Sequence, residues 1–324
     1  MEDIVVAGSG TAARLSSEAL AAAGFRVGSE GSGDKSRCPL ILGQSADAFV
    51  TAWQAVESGR HVLLAHPAAL SPSQLATILA ARGPRQALFI WGERRFHPAY
   101  RLVAGLVQAG DATWQPRYLR NTTYSAERPT TALMRWRTIE SLALVFDLLG
   151  ASPASVSASG APNVGCGAPD FYSLSLDLVT TTAFLNIALG EGTERRETVL
   201  AAPARKAYID EMNQTVPVRL VDDDPPTDPG GAARWVSCPS PSPVELARQQ
   251  CLAFLEATER PALAATETDT WQRALAAWRA AEASLSAGSA RVDVREPAAS
   301  GLRVITGGGQ GAPSTSPRLR TLPG

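Results

Sequence analysis

Three features of the sequence point to an α/β protein: a shortened, doubly wound parallel sheet followed by an α/β unit with an open, mostly antiparallel sheet. The chain opens with an apolar run, Ile4, Val5, Val6 and Ala7, which Gly8-Ser9-Gly10 breaks and Ala12, Ala13, Leu15, Ala19, Leu20 and Ala23 continue at helical spacing. Short apolar runs then alternate with amphipathic stretches to residue 120, as in a parallel sheet with helices on both faces. Beyond Gly150 the runs lengthen and partly alternate apolar with polar residues, the pattern of strands with one covered face.

The opening unit reads as the first strand, turn and helix of a nucleotide-binding fold. Gly8 allows the tight turn, Gly10 lets the backbone approach a pyrophosphate, and Ala13 stands where a third glycine often packs helix on strand. An ordinary strand-to-helix turn fits the same residues. A second strand at 25–28 leads into a polar loop, where Glu30 is the candidate partner of an adenosine ribose and a solvated loop acid is the alternative. The next strand, 38–43, ends at Gly43 and arrives early. No space remains between residues 30 and 38 for the helix and strand usual there, so the adenosine-binding half is expected to be trimmed.

The later elements follow from the same signals. Residues 46–59 form a helix with Phe49, Trp53 and Val56 on one face and Gly59 as its stop. A strand at 61–64 closes at Ala65-His66-Pro67, and Ser71 with Pro72 starts a helix running to 81. A strand at 86–91, a helix at 99–109 and a strand at 113–120 complete a first domain, residues 1–120. The apolar helix 139–149 ends at Gly150 and is the expected hinge to a second domain, residues 121–295. Strands are expected there at 155–158, 171–178, 181–189, 197–202 and 291–294, and helices at 244–257 and 270–287. Residues 222–231 read as an aspartate-rich surface loop, and the Gly, Pro and Ser content of 296–324 as a disordered tail.

Composition narrows the functional classes. A net charge of −1 offers no basic excess for nucleic acid, and the sequence contains no apolar run of about 18 residues that would enter a membrane. With no signal-peptide layout at the N-terminus, the expected address is the cytoplasm. Cys38, Cys166, Cys238 and Cys251 are scattered, and the only histidines are His61, His66 and His97, so free thiols and no metal site are expected.

Several segments in order resemble the glucose-fructose oxidoreductase and inositol dehydrogenase superfamily, Gfo/Idh/MocA. They are residues 6–13, the run from Glu57 to Pro67, Gly92-Glu93-Arg94-Arg95-Phe96-His97-Pro98, the helix end at Phe146-Asp147-Leu148-Leu149-Gly150, and residues 277–294. The resemblance spans roughly residues 3–295. It implies a Rossmann-like domain carrying NAD or NADP on Gly8, Ser9, Gly10, Thr11, Ala12, Ala13, Glu30 and Gly43, then an α/β domain whose open sheet supports a homo-oligomer. It further implies a small-molecule substrate at the junction, with hydride passing between nicotinamide and a carbon bearing a hydroxyl, carbonyl or imine. The usual Glu-Lys-Pro falls at Ala65, His66 and Pro67, and the histidine and aspartate of the hinge helix fall at Glu140 and Ala143. The usual asparagine before the arginine pair falls at Glu93.

Two candidates remain for proton transfer. His66 replaces the family lysine; thiazolinyl imine reductases, a branch of the superfamily, also show His-Pro there, and an imidazole near pKa 6.5 can act as acid or base. A strand-end histidine bonded to backbone is the alternative. Glu140, flanked by Ile139 and Leu142, gains a raised pKa if desolvated, whereas pairing with Arg135 or Arg137 makes it structural. His97 reads as a loop or pocket-wall residue and Tyr100 as one that packs. The expected function is an NAD(P)-dependent oxidoreductase reducing a carbonyl or imine in a specialised pathway; the competing expectation is a catalytically degenerate relative that serves as a binding or scaffold subunit for a pathway partner.

Overall fold

The computed structural model describes residues 3–29, 38–162, 169–215, 217–222, 233–236, 238 and 240–295. The first sheet is parallel and consists of β1 (Asp3–Ala7), β2 (Arg26–Ser29), β3 (Leu40–Leu42), β4 (Val62–Leu64) and β5 (Leu88–Ile90), in the order β2-β1-β3-β4-β5. Every residue of β3, β4 and β5 is buried, so both faces are covered and the strands are apolar without alternation. The connecting helices are α1 (Thr11–Ala22), α2 (Ala48–Glu57), α3 (Pro72–Ala81) and α4 (Pro98–Gln108). As expected, Ser71 caps α3, completing a reciprocal capping box with Gln74.

The segment expected to be trimmed, residues 30–37, lies outside the described residues; β2 and β3 stand on opposite sides of β1. Among the described residues β2 is therefore the sheet edge, and the direction of sheet growth reverses between β1 and β3. In open α/β sheets ligands bind at such a reversal, outside the carboxyl ends of the strands.

The second sheet contains β6 (Tyr118–Ser125), β7 (Ser155–Pro162), β8 (Pro169–Asp177), β9 (Thr182–Leu189), β10 (Arg195–Ala201), β11 (Arg205–Asp210), β12 (Val218–Asp222), β13 (Ala233–Val236) and β14 (Val292–Asp293). Its order is β13-β12-β11-β10-β6-β9-β8-β7-β14, antiparallel except where β6 runs parallel to β9. The strand expected at 113–120 as part of the first sheet differs in both place and extent. Residues 112–114 form a 3-10 turn capped by Asp111, and the strand that follows joins the middle of the second sheet. The partners that decide this, β9 and β10, lie far along the chain.

Helices α5 (Thr131–Leu149) and α7 (Pro261–Ser286) cover the inner face of the second sheet. Both start earlier than their apolar stretches suggest, because their N-terminal halves carry charged and hydroxyl residues such as Arg135, Arg137, Glu267 and Asp269. α6 (Pro243–Glu259) returns to the first sheet and packs on α1, where Phe254, Cys251 and Ala247 join Ile4, Leu20, Ile41, Leu63 and Phe89 in one apolar cluster. The larger cluster runs from the other face of the first sheet through α5 and α7 to the second sheet, so the two sheets share a continuous core. Cys38, Cys238 and Cys251 are free thiols, and among the described residues no helix is long and apolar enough to cross a membrane. Glu30, Cys166, the aspartates after Asp222 and the stretch 296–324 lie outside the described residues.

Candidate functional site

The glycine turn sits at the sheet reversal and is fastened to the end of β3. Ser9 N–H donates to the Gln44 carbonyl at 2.9 Å, Gln44 N–H to the Ser9 carbonyl at 2.7 Å, and Gly43 N–H to the Ala7 carbonyl at 2.8 Å. This closeness explains the glycines. Gly8 has φ +81°, and a Cβ there would lie 2.7 Å from the Gln44 carbonyl oxygen; a Cβ on Gly43 would lie 2.6 Å from both the Ala13 methyl and the Ser9 carbonyl oxygen. Gly10 differs, with φ +95° and nothing closer to its Cβ position than the Gln44 side chain, at 3.5 Å, so backbone conformation alone requires glycine.

Helix α1 begins at Gly10 with no side-chain cap. The N–H groups of its first turn, at Thr11, Ala12 and Ala13, therefore lack a side-chain acceptor and lie at the positive end of the helix dipole, an arrangement suited to a phosphate. They open onto a cleft of about 650 Å³, lined by Val6, Gly8, Ser9, Gly10, Thr11, Ala13, Arg14, Ser17, Val27 and Gly28. Of the described residues expected to hold a dinucleotide, Gly8, Ser9, Gly10, Thr11 and Ala13 line this cleft; Ala12 and Gly43 do not, Gly43 standing behind the turn against Ala7, Ser9 and Ala13. Arg14, Ser17, Gln44 and the β2 residues were not among those expected. The signal for the helix pair was their place one and two turns beyond the glycines.

His66 lies at the carboxyl end of β4, half-buried, where Pro67 starts a 3-10 turn packed on α5. Among the described residues no side-chain hydrogen bond holds its ring, unlike His61, which accepts from the Ala87 N–H at 2.9 Å. Burial lowers the His66 pKa below 6.5, so the ring is neutral at pH 7 and can accept a proton. Glu140 is 2% exposed and follows the structural alternative: Arg137 Nη1 donates to it at 3.1 Å, and Arg137 also binds Glu127 at 2.8 Å. No hydrogen bond or ion pair joins Glu140 to His66 among the described residues.

The arginine pair after β5 forms a seam between the two sheets. Arg94 donates to Glu211 at 2.6 and 3.0 Å and to Thr123 at 2.8 Å, and Tyr100 donates to Glu211 at 2.5 Å while meeting Thr198 at 2.9 Å. Burial alone would raise the pKa of Glu211, but the charge and hydrogen bonds of Arg94, with the Tyr100 hydroxyl, outweigh it and hold the carboxyl below its usual range. Arg95 turns the other way, to Asp147 and, through two bonds of 2.8 and 2.9 Å, to Glu267 on α7. Its guanidinium lies 5.1 Å from the ring centre of Trp271, which stacks on Trp136 at 5.3 Å. Tyr100 packs as expected. His97, expected on a loop or pocket wall, is 4% exposed and caps α4, its Nδ1 accepting from the Ala99 N–H at 3.2 Å.

Known structures share this fold. UDP-N-acetylglucosamine 3-dehydrogenase GnnA from Acidithiobacillus ferrooxidans superposes with a TM-score of 0.69 at 21% identity, over 88% of this chain and 97% of that one. The chain has the two-domain α/β fold of Gfo/Idh/MocA-type dehydrogenases. Levoglucosan dehydrogenase in complex with NADH gives a TM-score of 0.73 at 13% identity, over 91% of this chain and all 100% of that one. A putative myo-inositol dehydrogenase from Sinorhizobium meliloti 1021 gives 0.69 at 15%, with 91% and 100% covered. No family model and no curated protein matches the sequence.

Proposed function

We propose that this chain is an NAD(P)-dependent oxidoreductase acting on a small molecule. The observation that carries the reading is the glycine turn: a helix start with no side-chain cap, a positive φ at Gly10 and the cleft that Gly10 lines, all at the point where the sheet reverses. These residues fit a dinucleotide. The N–H groups of Thr11, Ala12 and Ala13 would hold its pyrophosphate, and Gly10 lines the cleft in which it would lie. Two of the structural neighbours, GenD2 from gentamicin A biosynthesis and levoglucosan dehydrogenase, are named as complexes with NAD and NADH. When bound, the nicotinamide supplies or accepts the hydride.

His66 is the chain's candidate for the accompanying proton. Its neutral ring accepts a proton from a hydroxyl during oxidation, and in its protonated form returns one during reduction of a carbonyl or imine. Placement at a strand end, half-buried and without a competing hydrogen bond, suits the role. We further propose a cytoplasmic homo-oligomer joined through the outer face of the nine-stranded sheet, which α5 and α7 leave uncovered. Titration of the purified chain with NADH and NADPH, followed by nicotinamide fluorescence, tests the reading: saturable binding below millimolar supports it, and none at millimolar removes it.

A second reading, a relative retaining the fold as a binding or scaffold subunit, is favoured by Glu140, whose carboxylate is committed to Arg137 and leaves His66 without an acidic partner. Co-purification of a stoichiometric partner with no dinucleotide affinity would support that alternative.

A further inference from the structure

On the oxidoreductase reading above, the cleft faces a choice between two dinucleotides that differ by one phosphate on the adenosine ribose. We propose that it takes the phosphorylated form, NADP(H), and that Arg14 selects it. Among the described residues lining the cleft, Arg14 is the single charged side chain, and no carboxylate lines it. Arg14 and Ser17 are three residues apart on α1 and so share the face that looks across the cleft to Val27 and Gly28 of β2. The guanidinium on this face suits a phosphate, since it donates in a fork; the Ser17 hydroxyl already donates to the Ala13 carbonyl at 3.0 Å.

The present partner of Arg14 does not prevent this. Its Nη1 lies 2.7 Å from Glu18 one turn along the helix, with the side chains 61% and 47% exposed. Such a pair is weak in water, and a dianionic phosphate is the stronger partner. The competing expectation, Glu30 on the adenosine ribose, predicts the reverse preference, for NADH, and lies outside the described residues.

Equilibrium titration of the full chain with NADPH and NADH, read by fluorescence, tests the assignment without requiring turnover. NADPH is expected to bind about ten-fold more tightly than NADH, and Arg14→Ala to cost about that factor for NADPH alone, the loss of one charge-assisted contact. Adenosine 2′,5′-bisphosphate should displace NADPH better than 5′-AMP by a similar factor. Arg14 is exposed, so an unchanged melting temperature for the variant separates lost recognition from lost folding. Equal binding of NADH and NADPH, or an Arg14→Ala loss shared by both, would overturn the selection while leaving the oxidoreductase reading intact. Binding of neither would remove both.

Discussion

The carboxyl edge of the parallel sheet has two regions built on opposite principles. At the end of β5, Arg94 and Arg95 are almost fully buried and every charge meets a partner within the protein, Glu211 on one side and Asp147 with Glu267 on the other. At the end of β1, the helix start has no side-chain cap, Arg14 is exposed, and Gly10 lines a cleft. Buried charges are tolerable only when internally paired, whereas donors left unpaired at a helix start remain available to a ligand. The first region holds the two sheets in register, and the second is receptive.

The sharpest way to break the seam is to remove one partner. Arg94→Met should destabilise the protein by about 3–5 kcal/mol, because Glu211 is left buried without its countercharge. Urea unfolding would measure it. The double substitution Arg94→Met with Glu211→Leu should recover much of the loss, since replacing both members of a buried pair by apolar groups is often neutral. Acid acts on the same pair. Glu211 has its folded pKa lowered, so its stabilisation is present above the ordinary glutamate pKa and is lost as the pH falls through the depressed value. An Arg94→Met change that costs no stability would contradict the structural role.

The end of β4 stands between the two regions, with a titratable ring that no side-chain hydrogen bond holds among the described residues. If His66 moves the proton, His66→Gln should lower kcat/KM by about a hundred-fold or more, the usual size of an acid–base contribution. Direction with pH provides the sharper check. Burial lowers the His66 pKa below 6.5, so kcat/KM for oxidation should rise with pH through that value and stay level above it, and reduction should fall over the same range. A variant that keeps the same inflection would show that another group titrates.

The receptive region was the more legible one. Gly8, Gly10, Ala13 and the early strand ending at Gly43 are local signals, because a turn and the helix after it are determined by residues within one or two turns. The ion pair of Glu140 with Arg137, three residues apart on α5, was readable for the same reason. The seam was not: Arg94 and Glu211 are 117 positions apart, and nothing local in either segment names the other. Strands β11 and β12 were missed because Lys206, Arg219 and similar residues break the apolar pattern on the open face. β6 was placed in the wrong sheet because its membership depends on pairing with β9 and β10.

Within the receptive region the glycines can be set against each other. Gly8→Ala meets both a positive φ and the Gln44 carbonyl, and should cost about 1–3 kcal/mol of stability, with turn and cleft disturbed together. Gly10→Ala meets only the positive φ, so the cost should be the smaller, about 1 kcal/mol. Its methyl would lie 3.5 Å from the Gln44 Cβ, at the rim of the cleft that Gly10 lines. Dinucleotide affinity should therefore fall more for Gly10→Ala than its thermal shift suggests, whereas for Gly8→Ala stability and affinity should fall together. Matching losses in both variants would mean that Gly10 is there for the chain alone.

The smallest effect falls on the one ion pair that borders the cleft. Glu18→Gln removes the exposed partner of Arg14, and an i,i+4 pair of this kind contributes about 0.3–0.5 kcal/mol, a shift at the limit of a careful thermal melt. The effect should shrink further in high salt, since exposed pairs are screened. Its value lies in contrast with Arg94→Met: both substitutions remove a member of an arginine–glutamate pair, yet their costs should differ by about an order of magnitude because one pair is buried and the other is in water. Glu18→Gln should leave NADPH affinity unchanged or higher, since Arg14 no longer has to exchange a partner. Weaker NADPH binding in that variant would mean that Glu18 orients Arg14 for the ligand, and that the receptive region is more closely organised than its exposure suggests.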